Sequence, residues 1–128
     1  MEYNKRNAMF SGKEPGKELT PDQARINAKR YNENRKEGDV KAHYFSEKLI
    51  RKILRKEGVI GLRVYYATDE SNQIEAFLVG VNHDGDNIYS EKISAHGEKD
   101  MAVSSSSGIY ASLAPCPDLC PKRPDNGF

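Results

Sequence analysis

Cys116 and Cys120 are the two cysteines of this 128-residue chain, and their thiols are its most reactive side chains. Thiolates four residues apart can share a zinc ion, but a structural zinc site takes four ligands. His43, His83 and His96 are the only histidines left to help, and none stands at a finger-like spacing. A redox pair more usually reads Cys-x-x-Cys at a strand–helix junction. This pair lies in Pro115-Cys116-Pro117-Asp118-Leu119-Cys120-Pro121. Three states therefore stand open: free thiols, a disulfide, or a metal site with zinc as the one cofactor considered.

Asn82-His83-Asp84-Gly85-Asp86-Asn87 groups oxygen ligands around a glycine, as calcium loops do. It lacks the twelve-residue spacing and the distal bidentate Glu of an EF-hand. Asp-Gly between apolar segments is first a hairpin turn. His83 and His96 near Asp84, Asp86 and Glu98 could make an acid–base pair, but they fall in turn and linker sequence. There is no Gly-x-Ser-x-Gly, no phosphate loop and no metalloprotease helix. No catalytic residue is assigned.

Lys48, Arg51, Lys52, Arg55 and Lys56 put five cations on one helical face. Such a face can meet phosphates, and nucleic acid is the alternative partner considered. Net charge is only +1, distributed unevenly. Residues 1–40 carry +2, residues 41–57 carry +4 and residues 58–128 carry −5. The basic face could equally be solvated, or answer the acidic half.

These residues need a scaffold. Hydrophobic residues are 37% and charged residues 30% of the chain, so the core is modest. Of 21 Val, Ile and Leu, 15 lie in residues 40–94, which places the core domain at 19–94. Residues 1–18 read as a flexible arm and 95–128 as a Ser/Pro/Cys-rich tail. Thr20-Pro21-Asp22-Gln23 is a capping box with proline at the first helical position, and Gly38 ends that helix. Asp39 is expected to cap a second helix over 41–57, whose stripe is Ala42, Phe45, Leu49, Ile50, Ile53 and Leu54. Strands follow over 59–67 and 74–82, with a weaker third over 88–94. The fold expected is α+β: two helices, then an antiparallel sheet of two or three strands.

Glu57-Gly58-Val59-Ile60-Gly61-Leu62-Arg63-Val64-Tyr65-Tyr66, then Phe77-Leu78-Val79-Gly80-Val81-Asn82-His83-Asp84-Gly85-Asp86-Asn87, then Cys116-Pro117-Asp118-Leu119-Cys120 resemble the cores of a group of short, uncharacterised bacterial proteins. Asn82 stands where that group more usually has an acidic residue. The resemblance implies the same layout of helix, two strands and Cys-Pro tail, and no activity.

A small sheet under one helix leaves edges and a face open. In strand 59–67, Ile60, Leu62, Val64 and Tyr66 alternate onto one face and are expected inward. Arg63 and Tyr65, with Leu78 from the next strand, then mark an interaction surface. The function expected is non-enzymatic: self-association or binding of another protein. No apolar run approaches a membrane span. The opening residues show no secretory leader, so a cytoplasmic setting is expected.

Overall fold

The computed structural model describes residues 9–13, 15–91 and 107–128. Residues 1–8 of the expected arm, residues 92–94 of the expected third strand, His96 and most of the serine-rich linker lie outside the described residues.

Helix α1 runs Pro21–Asn34. Thr20 Oγ1 accepts from the Gln23 amide at 3.1 Å, and Gln23 Oε1 accepts from the Thr20 amide at 3.2 Å. The box read from sequence thus satisfies two of the helix's orphan donors. No residue of α1 is buried. After it, Lys36 and Asp39 close a turn through Lys36 N–H to Asp39 Oδ2 at 3.3 Å and Asp39 N–H to Lys36 O at 3.0 Å.

Asp39 is therefore committed to a turn, which corrects the expected helix over 41–57. Strand β1, Ala42–Tyr44, takes its first part. Helix α2 covers only Glu47–Leu54, with Ser46 Oγ accepting from the Leu49 amide at 3.2 Å. Ser46 is a strong N-cap, and a strand partner for residues 42–44 arrives from far along the chain. Ala42 and Phe45 match the apolar period yet lie outside the helix. Gly58 ends the segment in the left-handed region, φ +85°.

Four more strands make a sheet: β2 Gly61–Thr68, β3 Ile74–Val81, β4 Asn87–Ile88 and β5 Tyr110–Ala111. β2 lies beside β3. β4 pairs antiparallel with Gly80–Val81, and β5 with Phe77–Leu78. A strand has two edges, so β4 and β5 share, end to end, the edge of β3 that β2 leaves. A separate two-stranded sheet joins β1 to β6, Ala114–Cys116, with Ala42 opposite Cys116 and His43 opposite Pro115. Proline fits there because both strands are edges. The α+β class is thus present, and the segment expected as a tail supplies β5, β6 and a 3-10 turn at Pro124–Asn126.

The chain forms two compact units. The first takes residues 1–15, 46–65 and 77–111, and Ile53, Leu78, Val79 and Val81 are buried in it. Gly80 belongs to this packing. A Cβ there would stand 2.7 Å from Val59 Cγ2 and 3.2 Å from Ile53 Cγ2, so only glycine admits that approach. The second takes residues 16–45, 66–76 and 112–128, with Val40, Ala76 and Cys116 buried.

Candidate functional site

From Val64 on, β2 departs from the sequence expectation, while Ile60 and Leu62 are half-buried. Arg63, Tyr65 and Ala67 are half-covered, whereas Val64 is 45% and Tyr66 80% exposed. Arg63 is drawn in by acceptors: its Nη1 donates to Gly85 O at 3.1 Å and to Asn87 Oδ1 at 2.6 Å. Asn87 Nδ2 then donates to the Tyr65 hydroxyl at 2.7 Å. The Tyr65 ring stacks on Phe77, centroids 5.2 Å apart, and the Arg63 guanidinium carbon lies 5.7 Å from the Phe10 ring centre. Both residues proposed from sequence as an interaction surface are thus engaged inside their own unit.

Leu78, the third, is corrected more fully: it is 3% exposed. Its strand is central, paired on both edges, and Tyr110 of β5 is its direct partner. Sequence reasoning expected Leu78 on an open face. The missed signal is the strong cap at Ser46. It shortens α2 to eight residues, about 12 Å at 1.5 Å per residue. An eight-residue strand runs about 26 Å, more than twice the length of that helix.

Two of the five cations have a partner and a third lies against backbone. Arg51 pairs with Glu47 at 2.6 Å, one helical turn earlier. Lys52 Nζ lies 5.7 Å from the Tyr110 ring centre. The Lys56 chain crosses Gly108, where a Cβ would meet its Nζ at 2.6 Å. Lys48 and Arg55 are exposed.

The Asn82–Asn87 loop is a hairpin turn built on one side chain. Asn82 Oδ1 accepts from the amides of Asp84 and Asp86, both at 2.9 Å. Its amide donates to Asp86 O and its carbonyl accepts from Gly85 N–H, each at 3.0 Å. Gly85 takes φ +84°. The turn between β2 and β3 repeats the arrangement atom for atom. Asp69 Oδ1 accepts from Ser71 and Gln73 at 2.8 and 2.9 Å, Asp69 N–H donates to Gln73 O, and Asn72 takes φ +68°. Either Asx residue serves at the first position, so the Asn82 departure changes nothing here.

Cys116 and Cys120 are joined as a disulfide, one of the three states left open; in that state neither sulfur is a thiolate that could hold zinc. Among the described residues no group of three or more His, Cys, Asp or Glu could hold a metal ion, and no helix is long and apolar enough to cross a membrane. Comparisons with protein-family models, with curated proteins and with solved structures return no match.

Proposed function

We propose that the protein is a non-enzymatic binding module that associates through the outer edge of β2, with a second copy of itself as the partner. The observation that carries the reading is the state of that edge. β2 ends the sheet order, and no described strand lies beyond it. Exposed edges are ordinarily guarded by charge, proline or a bulge. Gly61–Thr68 holds no proline and one charge, Arg63, which is turned onto Gly85 and Asn87, and the one-residue bulge shown by Ile60 N–H to Val81 O sits at the strand's start, leaving Val64 to Thr68 unguarded.

The direction of the free amides supports the same reading. Asp69 N–H bonds to Gln73 O, and in an antiparallel ladder the bonding side alternates along the strand. Ile60 N–H donates to Val81 O, one residue out of that register, so a bulge stands at the start of the strand; counting back only from Asp69 towards Tyr65, Thr68, Tyr66 and Val64 point their amides away from β3. The Tyr65–Phe77 stack lies four residues back on each strand from the Asp69–Gln73 pair and agrees with that count. On the other edge of β3, Ser112 N–H reaching Ala76 O at 3.1 Å obeys the same alternation. An incoming strand would gain main-chain hydrogen bonds from those amides and apolar burial from Val64 and Tyr66.

A cytoplasmic setting is proposed with this function. There the Cys116–Cys120 bridge is the bond most open to change, because cytosolic thiols are held reduced.

Light scattering on the eluting protein, over a concentration series reaching about 200 μM, tests the reading in the range of weak to moderate association. The wild type is expected to approach a dimer mass. The V64K/Y66K variant, with two lysines on exposed positions, is expected to remain monomeric. A monomeric wild type across the series overturns the reading, as does a dimer unaffected by V64K/Y66K. Added generic duplex DNA at low salt is expected to leave the mass unchanged. A mass shift with DNA that weakens with salt would favour the basic face of α2 instead.

A further inference from the structure

The Cys116–Cys120 bridge takes no part in the association proposed above, and its two ends stand in different surroundings. Cys116 is 4% exposed and is the last residue of β6. It lies opposite Ala42, and its carbonyl accepts from the Lys41 amide at 2.7 Å. Cys120 lies beyond the strand and is exposed, as are Asp118 and Leu119 before it. A thiol in solution therefore meets the Cys120 end first, and the sulfur it displaces is that of Cys116. Exposed bridges are the ones open to exchange.

The neighbouring bonds let the bridge open and close within the fold. Ala42, His43 and Tyr44 face Cys116, Pro115 and Ala114 across the β1–β6 ladder, and the Ser112 hydroxyl donates to Tyr44 O at 2.8 Å. None of these contacts runs through sulfur. The Leu119 amide donates to Pro115 O at 2.8 Å, a turn that keeps Cys120 beside Cys116 when the sulfurs are apart. With a sequence separation of 4, the bridge restrains the unfolded chain less than a long loop would, so the order of the segment does not rest on it alone.

We infer that this pair is a thiol–disulfide exchange site for small thiols of the glutathione type, with Cys120 the sulfur that is attacked and carries the mixed disulfide, and Cys116 the resolving sulfur. In the reducing direction a thiol RSH gives up its proton and the thiolate attacks Cys120 Sγ. The bond from RS to that sulfur forms as the bridge breaks, and Cys116 leaves as a thiolate that takes up the proton. A second thiolate then attacks the RS sulfur, giving RSSR and freeing Cys120, which is protonated in turn. Two RSH are oxidised to RSSR, and the bridge is reduced to two thiols. In the oxidising direction RSSR first loads RS onto Cys120, and the Cys116 thiolate displaces it.

The test uses the full chain, with glutathione disulfide as the probe. Protein reduced with a phosphine, then freed of it, is first given a limiting dose of iodoacetamide, and the labelled sulfur is located by fragmentation mass spectrometry. Cys120 is expected to be alkylated at least about tenfold faster than Cys116, with the two rates converging in urea. Glutathione disulfide added to the reduced wild type is expected to restore the bridge and leave no lasting adduct. C116S, which lacks the resolving sulfur, is expected to accumulate one glutathione on Cys120, and C120S to take it at Cys116 at least about tenfold more slowly. Circular dichroism of the reduced wild type is expected to match that of the oxidised protein. The wild-type measurements need no substitution, so they decide the matter even where a variant fails to fold. Equal alkylation of the two cysteines in the folded protein, a lasting adduct on the wild type, or loss of the fold on reduction overturns the inference.

Discussion

At the scale of single residues, the hairpin ends rest on two carbonyl-type oxygens. Asp69 and Asn82 each accept two amide hydrogens with one side-chain oxygen. Removing the acceptor strands those donors, at about 1 kcal/mol or more per group where water cannot reach. Asn82 is half-buried and Asp69 exposed, so the costs should differ. Urea denaturation of N82A is expected to show a loss of about 1–2 kcal/mol, and of D69A about 1 kcal/mol or less. N82D is expected to recover most of the loss, because a carboxylate accepts from the same two amides. Equal stability of N82A and wild type would contradict this account of the turn. Asp84-Gly85 was legible as a turn. That the two turns are the same device was not, because Asp replaces Asn at the first position and Asn72 replaces Gly85 at the left-handed one. Their shared geometry is a property of side-chain oxygen and φ, which letter-by-letter comparison does not register.

At the scale of elements, what could be read and what could not divide by where the stabilising partner lies. α1 carries its own start signal at Thr20–Gln23, and β2 and β3 are joined by a short polar turn, so local sequence suffices. β1, β5 and β6 are two or three residues long and exist through distant partners, as Ala42 does through Cys116. The apolar period that carried helix prediction back to Ala42 was outweighed by the cap at Ser46 and by that pairing. The disulfide belongs to this scale too. It closes a loop of sequence separation 4 immediately after β6, and loop-closure entropy for so short a loop gives about 2 kcal/mol. The C116S/C120S variant is expected to lose about that much in denaturant titration. No loss would mean that β1–β6 pairing and the packing around buried Cys116 fix the segment without the bridge.

For the whole molecule, the question is what completes the sheet. The first unit fills its own interior: Ile53 is fully buried and Gly80 gives way to Val59. That material ends where the eight-residue α2 ends. Among the described residues no strand lies beyond β2, and Val64 and Tyr66 are exposed. The sequence reading expected one helix to be too little cover for this sheet. Which residues stay open depended on Arg63 finding Gly85 and Asn87, a contact across more than twenty residues that fixes which face turns inward. Amide hydrogen exchange at Val64, Tyr66 and Thr68, compared between about 5 μM and about 500 μM protein, reads the edge directly. Association through β2 predicts that these three amides slow by about tenfold or more at the higher concentration, with inward-facing Tyr65 unchanged. Identical exchange at both concentrations would contradict it.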